Sequence, residues 1–237
     1  MAVRRFRCVE CNEEAEELHR DYSNGILKIT RCRSCHKPVD KYIEYDAVII
    51  LIDATLCKVQ AFRHILFNTE INIHWKLCVF CLLCEAYLRW SLLQASPASG
   101  HFTDIIRYTI EWQFYSMFAM AAVELMVFCL SVLLILWSSG GFSGVRYTLL
   151  MKAILLSSYG KVLLIPAIIW EHDFSPHCFS LIRLFVLTSN SQALRVILNC
   201  SWRRCLLAVV GGFLLETWLA QALRTMQLTS DDYLSFI

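Results

Sequence analysis

Cys8-Val9-Glu10-Cys11 and Cys32-Arg33-Ser34-Cys35 decide how the first part of this chain folds. Each pair holds two residues between its thiols, and twenty residues separate the pairs. A C-x-x-C turn lets two sulfurs converge on one ion at about 2.3 Å, and a second such turn completes a tetrahedron. Between the pairs, Leu18–Tyr22 and Ile26–Thr30 flank Ser23-Asn24-Gly25, and Asn-Gly is a strong hairpin signal. The spacing predicts a small β zinc ribbon over residues 1–45, with Cys8, Cys11, Cys32 and Cys35 holding one structural Zn²⁺.

So small a module has too little apolar material to fold on burial alone. Zinc–thiolate binding of roughly 10–16 kcal/mol at neutral pH would supply its folding free energy. Two disulfides are the competing reading, but they need an oxidising compartment, and Arg4, Arg5 and Arg7 do not read as a signal peptide. A thioredoxin-type redox pair would need a βαβ setting, and a RING would need a second quartet. His36 could stand in for Cys35 only by breaking the paired spacing.

Working outward, composition sets the class of the rest. The 237 residues are 57% apolar and 18% charged, with a mean hydropathy of +0.50. Soluble domains lie nearer about 45–50% apolar and 25% charged, so an integral membrane protein is expected. The net charge of +2 is too small to point to nucleic acid. Twelve cysteines, spread through ribbon and apolar segments, suit a cytosolic ribbon.

Directly after the ribbon, Ile52, Leu56, Val59, Phe62 and Leu66 recur at helical spacing over 46–68, with Asp53, Gln60 and His64 opposite. That pattern describes an amphipathic helix at the membrane surface or one packed on the protein's own membrane domain. Leu56, Phe62 and Leu66 are its candidate lipid contacts.

Residues 69–237 read as a multi-span helical domain. Clear spans lie near 114–137, 147–170 and 205–223, each close to the about 20 apolar residues that cross a bilayer. The stretch 77–94 is marginal because of Glu85 and Arg89, which sit four apart and could pair. Cys78, Cys81 and Cys84 on it read as buried or acylated thiols. A metal site from His74, Cys78, Cys81 and Glu85 would need another segment. Residues 95–113 read as a loop leading to a short interfacial piece. The stretch 181–200 reads as a broken or interfacial helix, interrupted at Thr188-Ser189-Asn190-Ser191. Three spans place the arginine-rich loop 171–204 on the cytosolic side, the turn 138–146 in the lumen and the tail in the lumen.

Glu124, Lys161 and Glu216 stand inside these spans. A charge in a membrane is costly and marks an internal pair, a lipid contact or an ion pathway. A Lys161–glutamate pair that fixes packing and a contact to a lipid headgroup or sterol hydroxyl are the two main readings. Proton-coupled transport rests on too few charges. No Ser/His/Asp, phosphate-cradling or acyltransferase pattern stands out, so the chain is not expected to be an enzyme.

The ribbon with Tyr22-Ser23-Asn24-Gly25, the following Asp46, Ile52-Asp53 and Lys58, and the run Ala61-Phe62-Arg63-His64-Ile65-Leu66-Phe67-Asn68 together resemble the Arv family. Glu85-Ala86-Tyr87-Leu88-Arg89-Trp90, Ser158-Tyr159-Gly160-Lys161 and Leu187–Arg195 extend the likeness along the chain. The resemblance implies a homology domain over 1–68 and a multi-pass protein of the endoplasmic-reticulum membrane. It implies a role in sterol distribution, sphingolipid metabolism and supply of glycosylphosphatidylinositol intermediates, with those lipids as partners. An adaptor whose ribbon recruits a protein partner for lipid synthesis or trafficking is the alternative.

Overall fold

Two cysteine knuckles and two short hairpins build the N-terminal module in this computed structural model, which describes residues 6–22, 26–69, 73–94, 104–139, 147–170 and 176–235. Strand β1 (Phe6–Arg7) pairs antiparallel with β2 (Glu14–Ala15), and β3 (His19–Tyr22) with β4 (Ile26–Ile29). Tyr22 faces Ile26, so the expected hairpin is present; its tip, Ser23-Asn24-Gly25, lies outside the described residues. The bridge Arg31–Pro38 closes the module. Its own core is small, centred on Cys8, Cys32 and Val39.

The stretch 46–68, expected as one helix, is two. Helix α1 (Ala47–Thr55) ends in a turn where Cys57 takes a φ of 55°, and α2 (Val59–Arg63) leaves in a new direction. The last residues, His64–Asn68, widen into a π-helical turn. This break separates the expected lipid contacts. Phe62 and Leu66 are each 4% exposed and belong to the main core, so they are not available to lipid. Leu56 remains on the surface beside Val48, Leu51 and Ile52.

The membrane domain comprises α3 (His74–Gln94), α4 (Asp104–Ser138), α5 (Tyr147–Ser157), a 3₁₀ turn (Ser158–Leu163), α6 (Leu164–Trp170), α7 (Pro176–Leu198) and α8 (Trp202–Ser235). Among the described residues, four segments are long and apolar enough to cross a membrane: Glu111–Ser138, Tyr147–Ala167, His177–Leu198 and Trp202–Leu223. Large apolar side chains such as Leu134, Trp137, Leu207 and Trp218 point outward, as a lipid-facing surface requires. The chain is a multi-pass membrane protein.

Three expectations are corrected here. Helix α7 is unbroken, because the side chains of Thr188, Asn190 and Ser191 donate to the carbonyls of Phe185, Val186 and Leu187 on their own helix. That adds a fourth candidate span to the three expected. Residues 104–113, expected as loop, are the first turns of α4, and 95–103 lie outside the described residues. Finally, the marginal stretch 77–94 lies within α3, which packs on α4 and the 3₁₀ turn through Arg89 and Glu85 while Val79, Phe80 and Leu83 face outward.

Pairings fix the relative directions. Arg89 meets Glu124 and Trp90 meets Phe114, while Cys78 and Leu82 share a small cavity with Leu125, so α3 runs antiparallel to α4. Cys81 reaches the Ser158 carbonyl and Glu85 the Lys161 amine, so α5 and its 3₁₀ turn run parallel to α3. Ser157 bonds Asn190, and Gly160 abuts Phe185 and Val186, which makes α7 antiparallel to α5. Gly212 packs on Val132 and Gly211 on Ile135, so α8 is antiparallel to α4. A Cβ on Gly212 would lie 2.7 Å from Val132 Cγ2, which explains the glycine at that crossing.

The bundle therefore alternates down-up-down-up-down from the ribbon. The end of α4 and the α7–α8 turn sit on the ribbon's side, whereas the expected arrangement put the two on opposite sides. Lys58, Arg195, Arg203 and Arg204 share that side with the ribbon. The C-terminal part of α8 lies on the other.

Candidate functional site

The four cysteines converge as their spacing required. Cys8 Sγ lies 3.7 Å from Cys35 Sγ and Cys11 Sγ 3.5 Å from Cys32 Sγ, and all four lie within 4.8 Å of one another. Bonds of about 2.3 Å to a tetrahedral ion demand sulfurs about 3.8 Å apart, so the quartet fits a metal.

The two knuckles are copies of one backbone device. Cys8 N–H donates to the Glu13 carbonyl and Cys32 N–H to that of Lys37; Asn12 and His36 donate to the carbonyls of Cys8 and Cys32. Asn12 and His36, each just after its pair, adopt φ of 69° and 57°. Asn and His tolerate that left-handed region better than most residues. His36 thus has a backbone role, and Cys35 is the member of the quartet. Burial pushes the Cys8 thiol up to about 12. Burial acts on Cys32 too, but the N–H groups of Cys35 and Ser34, together with the Cys11 and Cys35 thiols, outweigh it and hold that thiol down at about 7. Such N–H groups aimed at sulfur favour thiolate, the form that binds metal.

A latch joins this centre to the helices. Arg63 Nη1 donates to the carbonyls of Val9 and Glu10 in the first knuckle, at 2.9 and 2.7 Å. Asn68 pairs with the Arg7 backbone in both directions, at 3.0 and 2.9 Å, like a strand partner. Fully buried Asp40 accepts from Tyr42 N–H, from Asn68 Nδ2 at 2.7 Å, and lies 2.7 Å from His64 Nδ1. The Arg7 guanidinium covers the Phe67 ring at 4.7 Å. The wide turn at 64–68 puts His64 and Asn68 on the ribbon while Leu66 enters the core. Nearby, the Lys58 ammonium and the Tyr42 hydroxyl hold the Asp53 carboxyl below its usual range.

A second constellation lies within the bundle. Glu85 accepts from Arg89 at 2.8 Å and from Lys161 at 2.7 Å, using both oxygens. Arg89 also forks onto Glu124, with Nη1 to Oε1 at 2.9 Å and Nη2 to Oε2. One carboxylate oxygen each from Glu85, Glu124 and Glu216 lies within 4.8 Å of the others. So Glu124, Lys161 and Glu216, among which a lysine–glutamate pair was expected, are brought together by α4, the 3₁₀ turn and α8. The partner of Lys161 is Glu85. With Glu85 engaged in this way, the His74–Cys78–Cys81–Glu85 metal reading falls away. Cys81 and Cys84 are buried, which removes them as acylation sites.

The residues missed from sequence were Asp40, His64 and Asn68. Their signal was the clustered Arg63-His64-x-Leu-Phe-Asn68 run, which served only as a mark of resemblance until Asp40 was placed against it.

The Arv1-like family matches residues 7–194. "Protein ARV1" of Mus musculus is 61% identical over 215 residues, covering 90% of this chain and 81% of the relative. "Protein ARV1" of Homo sapiens is 56% identical over 235 residues, covering 98% and 87%. "Protein arv1" of Schizosaccharomyces pombe is 31% identical over 202 residues, covering 81% and 75%. No solved structure matches. A match that takes in the cysteine quartet, the latch and both the Glu85–Arg89 and Lys161 parts of the buried network leaves one conclusion: the chain belongs to the Arv1-like family.

Proposed function

We propose that this protein is a non-enzymatic lipid-handling factor of the endoplasmic-reticulum membrane that maintains sterol distribution. Sphingolipid balance and delivery of glycosylphosphatidylinositol intermediates are the further processes it serves. Its ribbon faces the cytosol and holds one Zn²⁺ through Cys8, Cys11, Cys32 and Cys35. Family membership supports the lipid role. The observation that carries the mechanism is the apolar face of α1, where Val48, Leu51, Ile52 and Leu56 are 65%, 58%, 52% and 64% exposed.

That face is held at the junction of ribbon and bundle. Each large side chain buried beneath headgroups contributes on the order of 1.5–3 kcal/mol, so the apolar term dominates. Lys58 adds little, because Asp53 accepts from it at 2.7 Å. In cells lacking the protein, Leu51→Asp with Leu56→Asp should lose most rescue of sterol distribution at matched expression, and Lys58→Gln should lose little. Full rescue by the double variant would make α1 a spacer. Phe62 is unsuitable for this test, since its loss strikes the core.

The alternating bundle gives a topological expectation. A glycosylation acceptor appended after Ile237 should be modified in microsomes, and one placed before Met1 should not. Modification of neither end, or of both, would put the two termini on one side and remove α3 as a crossing.

One observation favours the adaptor reading: a groove of about 510 Å³ in the ribbon, bordered by Glu14, Glu17, Arg20, Lys28, Arg31 and Arg33. A membrane complex that co-purifies with the protein and is lost on charge reversal of Lys28 and Arg33, with lipid distribution following that loss, would move the function to recruitment.

A further inference from the structure

Counting charge in the buried network leaves a remainder. Glu85 has both oxygens engaged, by Arg89 and Lys161, and Glu124 has both engaged by Arg89. Glu216 is the third carboxylate, with an oxygen within 4.8 Å of each of the others, yet no side chain among the described residues donates to it. Three carboxylates thus face two cations, inside membrane-crossing helices where an isolated charge is strongly disfavoured.

Among the described side chains, the elements around Glu216 bring it no further cation: Lys76 stands near the start of α3, and Arg203 and Arg204 at the start of α8. Helix α3 brings Cys78, Cys81, Glu85 and Arg89, α4 brings Glu124 and Cys129, and the 3₁₀ turn brings Lys161. Helix α7, which also packs on α8, carries His177, Cys178, Arg183 and Arg195, set toward its two ends. The cavity beside Lys161, lined also by Cys78, Cys81, Leu125 and Ser158, has space of only about 10 Å³, room for no more than one water. Glu216 does not line that cavity, and the smallest group that balances the count on its carboxylate is a proton.

We propose that this network is a proton-binding site, with one exchangeable proton seated on the unpaired Glu216 carboxylate in the bilayer. Carrying it, the network is neutral: two cations, two carboxylates and one carboxylic acid. Losing it, the network bears one net negative charge between α8 and α4. The stability of the α4–α8 contact, set at Gly212 on Val132, is then linked to protonation. Loss of the proton leaves that net charge between the two helices and should weaken their contact.

The test uses the full-length protein in phosphatidylcholine nanodiscs and infrared difference spectroscopy across a pH titration. At neutral pH one carboxylic-acid carbonyl band per chain is expected, disappearing as pH rises. Glu216→Gln should lose the band, and Glu216→Asp should keep it at a shifted frequency, a variant small enough in change to preserve the fold. Lys161→Met, which removes one cation, should raise the count from one protonated carboxyl to two. Absence of the band in wild type, or a band unmoved by Glu216→Asp, overturns the proposal. Replacing choline with sodium should leave the band unchanged; its loss in sodium would mean a metal cation occupies the site and would equally overturn it.

Discussion

Removing the metal, or converting Cys32 and Cys35 to serine, is expected to unfold the ribbon while leaving the bundle helical. The core proper to the ribbon is little more than Cys8, Cys32 and Val39, and both its sheets have two short strands. Against this, metal binding at a Cys₄ site contributes about 10–16 kcal/mol, larger than the whole stability of most domains. The effect should travel. Val9 packs with Tyr42, Ala54 and Ala61, and Arg63 holds the carbonyls of Val9 and Glu10, so an unfolded knuckle releases α1 and α2 from one side. Metal analysis of the purified protein should find close to one zinc per chain. Chelation should expose sites near residues 8–45 to protease and abolish rescue of sterol distribution. A metal-free protein whose ribbon resists protease as well as the untreated one does would show that the thiols hold no structural ion.

How much of this was legible follows from the range over which each signal acts. The cysteine quartet is written in two local turns whose spacing alone brings the sulfurs close. Gly211-Gly212 is likewise a local signal of close packing, and both glycines meet α4 at the crossing. The break at Cys57 was not legible. It adopts a left-handed φ without the glycine or asparagine that usually marks one, so the apolar period seemed to run through it. Thr188-Ser189-Asn190-Ser191 misled in the opposite sense. Such residues favour caps and turns in water, but inside a bundle their side chains return to their own helix, and Asn190 Oδ1 also accepts from Ser157 at 2.7 Å.

Charges across helices were the least legible. Glu85 and Arg89 suggested an i,i+4 pair, which Arg89 Nη2 indeed makes, but nothing local announced Glu124 or Lys161 as the remaining partners. That carboxylate and that amine are 35 and 76 residues from their partners on α3. With the partners hidden, 77–94 looked too polar for the membrane, and the side assigned to each later turn changed with it. The same holds for Asp40, unremarkable in sequence, whose meaning depends on His64 and Asn68 arriving against it.

Replacing Arg89 with leucine is expected to be the most damaging single change in the bundle. Glu124 is only 2% exposed and has no other donor among the described residues, while Glu85 would keep Lys161 alone. Breaking a buried ion pair by removing one member costs about 3–5 kcal/mol, because a desolvated charge is left behind. Two carboxylates are affected here, so the loss should lie at the upper end of that range. Arg89→Lys should recover only part, since an ammonium cannot fork across both Glu124 oxygens. Removing the stranded charge as well should do better: Arg89→Leu with Glu124→Leu should be more stable than Arg89→Leu alone, although two groups have then been deleted. Denaturation in nanodiscs, read by circular dichroism, ranks the four proteins. If Arg89→Leu melts with wild type, or if adding Glu124→Leu lowers stability further, the network does not hold α3 to α4. The antiparallel α3–α4 contact would then rest on apolar packing such as Trp90 against Phe114.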